Sequence, residues 1–300
     1  MRQTTSKVLM VKPVRFGFNL QTADNNAFQK TGFERRAQEN ALLEFTSYVA
    51  LLRANGVDVA IAEDTPVPYT PDSIFPNNWF STHEDGTLVL YPMYAPNRRN
   101  ERKWEVLETI RRNFDVRRII DLSWWENEGL FLEGTGSMVL DRCNKVVYAA
   151  KSQRTSEKVL QDFCKQTDYS PICFEALDRQ GNPIYHTNVM MSIGSTHSVI
   201  CSEAIRDENE RKTVLDSIEK AGKKIIDISF GQLESFAGNM LELQNTAGRS
   251  ILVMSATARK SLTPEQNREL NACFKVLSPQ LDSIEMNGGG SARCMLAELF

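Results

Sequence analysis

Residues 71–93 read PDSIFPNNWFSTHEDGTLVLYPM, and their order decides the fold: a loop, a short β-type run at NWFST, then a second run at TLVLYPM. Working outward, an amphipathic helix is predicted over 100–113, followed by a third β-type run, FDVRRIIDL from Phe114. The same order returns along the chain. Helical patterns cover 32–55, 155–166, 207–221 and 263–274, and the first carries Phe33, Ala37, Ala41, Phe45, Tyr48 and Leu52 at three- and four-residue steps. Each is followed by a β-type run: VDVAIA from Val57, ICFEAL from Ile172, KKIIDISF from Lys223 and KVLSPQL from Lys275. After each comes a loop and a further run: SMVLD from Ser137, NVMMSIG from Asn188, NMLEL from Asn239 and CMLAEL from Cys294. Runs such as KVVYAA and SILVMSA precede most of the helices. The last unit is completed by the N-terminal KVLMVKP. Thr263 before Pro264, with Gln266 three residues on, predicts a helix start, and Gly56 and Gly222 predict helix stops.

One such unit buries too little apolar surface to stand alone, and a ring of five removes exposed strand edges. The expected architecture is therefore a single α/β domain over 1–300, with five units closed in a ring. The alternative, two α/β domains and a linker, is disfavoured because no Pro/Gly/Ser-rich linker appears.

Composition fits a globular chain: 300 residues, 41% hydrophobic, 24% charged, net charge −3. No apolar run approaches the ~18 residues of a membrane span, and no dense basic block predicts nucleic-acid binding. The N-terminal MRQTTSKVLMVKPVRFGF has no small-residue cleavage site, so no signal peptide is expected. Six cysteines without a CxxC pair predict reduced thiols and a cytoplasmic protein. Three histidines and six cysteines lie scattered without ligand spacing, so no metal or cofactor is expected.

In a ring, equivalent loops meet at one face. The loops 71–80, 131–138, 184–191, 233–243 and 287–299 would then bring together Asn77 and Asn78, Glu133, His186 and Asn188, Asn239, and Cys294. Singly each has an ordinary explanation: a structural thiol, a turn histidine, a solvated glutamate, turn-forming asparagines. The glycines 288–290 admit a flexible loop or backbone close to a substrate. Together the set predicts nucleophilic catalysis: a thiolate attacks carbon, an imidazole moves protons, and a carboxylate orients the imidazole or the substrate. His83 and His197 receive no role.

The sequence resembles the amidinotransferase-related branch of the guanidino-group-modifying superfamily, with the pentein fold of arginine deiminase and dimethylarginine dimethylaminohydrolase. Within it, the likeness is strongest to the citrulline-utilisation hydrolase family. The stretches that carry it are FGFNLQTADNNAFQ (16–29), PDSIFPNNWFSTH (71–83), YPMYAPNRRNER (91–102), FLEGTGSMVLDR (131–142), YHTNVMMSIG (185–194) and FAGNMLEL (236–243). The resemblance implies a five-bladed α/β propeller of fivefold pseudosymmetric ββαβ units. It also implies Cys294 as nucleophile, His186 as acid/base and Glu133 as the acidic partner.

Two positions leave the deiminase pattern: Asn78 and Asn188 stand where aspartates would contact a guanidinium. An amide offers a donor and an acceptor, as a ureido group does, whereas a carboxylate suits a cation. The expected reaction is therefore hydrolysis of L-citrulline to ornithine, ammonia and carbon dioxide. Asn78, Asn188 and Asn239 are expected at the substrate, Arg98 or Arg99 at its carboxylate, and Asn19 at its amino-acid end. An arginine dihydrolase or deiminase is the alternative, and a non-catalytic ring-shaped binding protein a remote one. The expected partner is a small molecule, with a homo-oligomer compatible.

Overall fold

The computed structural model describes residues 2–29 and 36–300. Among them, β1 (Lys7–Lys12) and β2 (Asp58–Glu63) run parallel, joined by helix α1 (Ala37–Ala54). The next three strands, β3 (Phe80–Thr82), β4 (Thr87–Leu90) and β5 (Arg118–Asp121), form one sheet, with α2 (Trp104–Asn113) crossing from β4 to β5. The pattern repeats in β6 (Val139–Asp141), β7 (Val146–Ala150) and β8 (Ser170–Phe174), with α3 (Glu157–Thr167). It repeats again in β9 (Met191–Ile193), β10 (His197–Ile200) and β11 (Lys224–Asp227), with α4 (Glu208–Lys220). The last repeat is β12 (Leu241–Gln244), β13 (Ser250–Val253) and β14 (Lys275–Leu277), with α5 (Pro264–Cys273). Finally β15 (Ala297–Leu299) pairs antiparallel with β1, so the chain's end completes its first sheet as expected.

Each sheet thus has one antiparallel and one parallel pairing, and the parallel pair is bridged by a helix. Both faces of the middle strands are covered, which explains their unbroken apolar runs. In β1, Val8 and Met10 pack with Phe45, Tyr48 and Leu52 of α1, while Leu9 and Val11 pack with Trp79, Phe80 and Ile110. Full burial of such side chains stabilises by about 1.5–3 kcal/mol each. The predicted face of α1 is the buried one from Ala41 to Leu52; Phe33 lies outside the described residues. At α5 the Thr263 hydroxyl accepts from the Gln266 N–H (3.2 Å) and the Gln266 side chain accepts from the Thr263 N–H (2.9 Å).

Successive sheets are stitched together by hydrogen bonds. Thr82 Oγ1 donates to the Glu298 carbonyl, Arg142 Nη1 to the Thr82 carbonyl, Thr187 Oγ1 to the Ser137 carbonyl, Ser195 Oγ to Glu242, and the Gln244 N–H to the Thr5 carbonyl. Every sheet is linked to the next and the fifth to the first. The fold is a mixed α/β fold whose five small sheets are compatible with blades about one axis.

The inner strands β3, β6, β9, β12 and β15 begin two or three residues later than their apolar runs suggested. A single helical turn precedes most of them: Pro76–Asn78, Gly134–Ser137, Thr187–Met190 and Ala292–Met295. Asn78, Asn188 and Cys294 therefore sit in turns at the strand mouths rather than in the strands.

Candidate active site

The turn Gly134–Ser137 is wedged between its neighbours. Gly134 has φ +45°, and a Cβ there would lie 2.5 Å from the Asn77 carbonyl oxygen. A Cβ on Gly136 would strike the Asn78 amide and come within 2.8 Å of the His186 ring. Only glycine lets the three turns close together. This brings Glu133, Asn78 and His186 to one place, as the repeat predicted.

Glu133 is wholly buried, and its Oε2 lies 2.8 Å from His186 Nε2. Oε1 accepts from the Tyr94 N–H (3.0 Å), and Arg154 and Arg98 stand 3.5 and 3.8 Å from Oε2. Burial alone would raise the Glu133 pKa. Arg154, the His186 hydrogen bond and Arg98 outweigh it and hold the carboxyl well below its usual range. For His186, burial is the larger influence and Glu133 offsets it in part, leaving its pKa lowered to about 4. The imidazole is therefore neutral near pH 7. With Nε2 turned to a carboxylate, Nε2 carries the proton and Nδ1 keeps the lone pair.

Cys294 sits among neutral groups. Its Sγ accepts from Asn239 Nδ2 at 3.2 Å and from Asn188 Nδ2 at 3.7 Å. Asn239 also donates to the Asn188 carbonyl (3.0 Å) and accepts from the Arg293 N–H (3.0 Å). Both its donors and one acceptor position are used within the protein, so Asn239 braces the turn that carries Cys294. The Tyr185 hydroxyl donates to the Gly289 carbonyl (2.7 Å), its ring centroid is 4.7 Å from that of His186, and burial pushes its pKa well up.

The glycines before Cys294 serve packing within the chain, not the approach of a substrate. A Cβ on Gly288 or Gly290 would meet the Phe75 ring at 2.8 or 2.9 Å, and one on Gly289 (φ +65°) would meet Asn26 at 2.6 Å. They end α6 (Asp282–Gly288), a helix the Gly-rich reading of this segment did not anticipate.

Arg98, Arg99 and Asn19, expected at the substrate, make hydrogen bonds within the protein. Arg98 is 2% exposed and points inward. It donates to Glu101 from Nε (2.8 Å) and Nη2 (3.0 Å), to Asn78 Oδ1 from Nη1 (2.9 Å), and to the Phe75 carbonyl (3.2 Å). Its Nε and Nη2 are occupied by the protein, while Nη1 holds Asn78 and lies 3.8 Å from Glu133. Arg99 is similarly turned, toward the Met93 and Tyr94 carbonyls (3.0 and 3.3 Å). Asn19 donates to Asp72 Oδ2 (2.7 Å) and accepts from Asn97 (2.8 Å), so it anchors its own segment.

The pairings of Asp72, Glu101, Arg154 and Tyr185 were not read from the sequence. Three of the four lie in quoted stretches, and Arg154 lies in none; what was missing was their partners, which come from distant loops. Asp72 is buried, and Arg98 and Asn19 only partly offset the rise in its pKa that burial causes. A cavity of about 1070 Å³ opens beside the site, with Asn25, Phe28, Tyr94, Arg154, Tyr185 and Glu285 on its walls. Cys294, His186 and Glu133 are not on those walls; Tyr185 and Arg154 are shared by the cavity and the site. The segment 19–29 is fastened beside the cavity: Arg154 bonds Asn25 and the Thr22 carbonyl, and Gln29 bonds the Asn287 carbonyl.

Among the described residues no group of His, Cys, Asp and Glu could hold a metal ion, and no helix is long and apolar enough to cross a membrane. Among the described residues no cysteine forms a disulfide.

The family model described as N,N dimethylarginine dimethylhydrolase, eukaryotic, matches residues 12–300. The chain belongs to that family. No curated protein matches it. Among solved structures, a variant of the N-terminal domain of ArgZ with a covalently bound reaction intermediate is 17% identical, with a TM-score of 0.76 over 98% of this chain and 97% of that one. Apo ArgZ, an arginine dihydrolase from the ornithine–ammonia cycle in cyanobacteria, gives TM-score 0.77 at 17% identity; 98% of this chain covers 40% of that one. A dimethylarginine dimethylaminohydrolase from Pseudomonas aeruginosa, a variant complexed with citrulline, gives TM-score 0.66 at 14% identity, covering 99% and 100%. These likenesses establish a pentein-type fold, and the family is one of pentein-type hydrolases.

Proposed function

We propose that the chain is a cysteine hydrolase of ureido C–N bonds, converting L-citrulline to ornithine, ammonia and carbon dioxide. The observation that carries this reading is the orientation of Asn78. Arg98 has only donors, so its bond to Asn78 Oδ1 fixes the amide with Nδ2 on the other side, buried and without a partner. Asn188 Oδ1 and Asp72 Oδ1 are also buried without partners. One orphan donor and two orphan acceptors match a ureido group, which has one oxygen to accept and N–H groups to donate. A guanidinium has donors alone and would leave Asn78 Nδ2 unpaired, at a cost of about 1–3 kcal/mol.

In the proposed mechanism Cys294 Sγ attacks the ureido carbon while His186 Nδ1 takes the thiol proton. Glu133 stabilises the imidazolium, which then protonates the leaving nitrogen. Ammonia departs and a thioester-type adduct remains on Cys294. Water, losing its proton to His186, cleaves the adduct, and the carbamic acid so formed breaks down to ornithine and carbon dioxide. Arg154 lines the wall between cavity and site and is proposed, through Nη1, as an alternative to Arg98 for the substrate carboxylate. The five sheets are proposed as blades of a closed propeller forming one domain, with reduced thiols suited to the cytoplasm.

Asp72 favours a second reading, an arginine dihydrolase. A buried carboxylate oxygen without a partner is a natural acceptor for a guanidinium. Incubating the purified protein separately with citrulline, arginine and agmatine, and following ornithine, putrescine and ammonia, separates the readings. Ornithine from citrulline at a kcat/KM above that for arginine is the expected result. Turnover of arginine alone would overturn the citrulline reading.

A further inference from the structure

Residues 2–5, ahead of β1, reach all five sheets. Arg2 donates to Glu84, in the turn between β3 and β4, from its backbone N–H (3.0 Å) and from Nε (2.9 Å). Gln3 Nε2 donates to the carbonyls of Leu140 in β6 (3.0 Å) and Ile193 in β9 (3.2 Å), and its Oε1 accepts from the Arg142 N–H (2.8 Å). The Thr5 carbonyl accepts from the Gln244 N–H of β12 (3.0 Å), and Thr5 Oγ1 donates to the Leu299 carbonyl of β15.

Both donors of the Gln3 amide and one acceptor position are used, so turning the amide over would break all three bonds. The two carbonyls it joins hold matching places in the repeat. Leu140 follows Glu133 by seven residues, and Ile193 follows His186 by seven. Each path runs through a single helical turn, Gly134–Ser137 or Thr187–Met190, and into an inner strand. At one end of these two segments Glu133 Oε2 meets His186 Nε2 at 2.8 Å, and at the other Gln3 ties them. The strands β6 and β9 belong to different sheets, so their spacing rests on side chains rather than on a backbone ladder. Part of the space between the two ends is empty: a cavity of about 30 Å³ is lined by Gln3 as well as by Thr135 and Asn188 of the two turns. The segments therefore have room to shift toward each other once the tie is cut.

We propose that residues 2–5 form a clasp on the five sheets, and that within it Gln3 is a positioning residue: by holding Leu140 against Ile193 it sets the distance between Glu133 and His186. The inference takes the roles of that pair from the mechanism above. Gln3 touches neither group. It acts through two segments of equal length and like shape, which carry a shift at the tied end to the end where the proton moves. A misplacement of ~1 Å can cost ~10²-fold in rate, and a partial release should cost about tenfold.

Gln3→Met keeps the bulk of the side chain and removes both donors. With whichever of citrulline and arginine is turned over, kcat should fall about tenfold while KM stays close to that of the wild type, at temperatures well below melting. The imidazole reports the pair directly. In protein with nitrogen-labelled histidine, His186 Nε2–H, bonded to a buried carboxylate, should give a proton resonance protected from exchange with water, assigned by its loss in His186→Ala. In Gln3→Met that resonance should be lost to fast exchange. Thr5→Val cuts the clasp at β15 instead, so it should lower the melting temperature and keep the His186 resonance. A protected resonance and wild-type kcat in Gln3→Met would overturn the proposal. Loss of the resonance in both variants would also overturn it, because that marks general loosening. A crystal structure of the wild type needs no variant to fold: Gln3 on the Leu140 and Ile193 carbonyls supports the proposal, and Gln3 lying elsewhere refutes it. The absence of turnover with either substrate would instead refute the proposed function, while the imidazole exchange would still decide whether Gln3 sets the pair.

Discussion

Around Cys294 the polar contacts are neutral: two asparagine amides face the sulfur, and Phe75, Ile284 and Met295 pack in the same core cluster. Around His186 they are ionic: one buried carboxylate meets an imidazole and two guanidinium groups, and one of those guanidiniums meets a second carboxylate, Glu101. The difference suits the roles proposed for the two halves. A proton carrier needs its ring orientation and its charged form secured in advance, and fixed charges in a dry site do both. A nucleophile that becomes bonded to carbon needs a place to swing and donors that follow it, which amides on turns supply. The ionic half is also costly to disturb. Removing one partner of a buried ion pair costs about 3–5 kcal/mol, whereas a neutral hydrogen bond is worth about 1 kcal/mol.

The largest effect is expected in the neutral half. Cys294→Ala should abolish turnover, because no other group supplies the bond to carbon. Its melting temperature should stay close to that of the wild type, since only weak sulfur contacts are lost. Alkylating agents should reach Cys294 before the other five cysteines, with citrulline protecting it. Residual turnover in the alanine variant would break the comparison at its root.

The ionic half should respond in both activity and stability. Glu133→Gln keeps the shape and removes the charge, leaving Arg98 and Arg154 without their shared partner. A fall in kcat of about 10²-fold, typical of an impaired general acid/base, should accompany a clear loss of melting temperature. The pH dependence separates catalysis from mere loosening. In the wild type, kcat/KM should hold from neutral pH downward and fall only near pH 4, where His186 gains its proton. Glu133 raises the His186 pKa, so its removal should move that limb to still lower pH. Stability should follow the same logic. Unfolded histidine binds a proton below about 6.5, while folded His186 resists until about 4. Stability should therefore decline as pH falls through that window. An activity limb near 6.5 would show that His186 is not held as described.

Much of the architecture was legible because it rests on local pattern. Alternating helix and strand signals located all five crossover helices, and KVLMVKP was rightly matched to the C-terminal run as the first sheet's partner. The turns ahead of the inner strands were not legible, because NWFST or NVMMSIG has the same β-rich composition whether its first residues lie in a turn or a strand. The meeting of Glu133, Asn78 and His186 followed from equivalence of loops. The inward turn of Arg98 did not, since it depends on Glu101 and Asn78 meeting it from separate loops. For the same reason the packing role of glycines 288–290 needed Phe75, more than two hundred residues earlier, to be visible.

The smallest effect expected is the most informative about substrate. Asn78 is where the two halves of the comparison touch: its Oδ1 accepts from Arg98 in the ionic half, and its turn packs beside the one bearing Cys294. Asn78→Asp keeps the Arg98 bond and strengthens it, because a charged acceptor makes a hydrogen bond roughly twice as strong as a neutral one. What changes is the other side of the group. An orphan donor becomes an acceptor, facing a ureido oxygen that has no proton to give. For citrulline, kcat/KM should fall by about 5- to 150-fold, the range of about 1–3 kcal/mol for a mispaired buried polar group. For arginine it should hold or rise, since a guanidinium welcomes the acceptor. The fold should hold, because the Arg98 contact that positions the turn is retained. If Asn78 served only to form its turn, aspartate would serve as well and neither substrate would notice the change. Steady-state kinetics on both substrates separates these outcomes. Unchanged citrulline kinetics would remove the argument for a ureido substrate while leaving Cys294, His186 and Glu133 in their proposed roles.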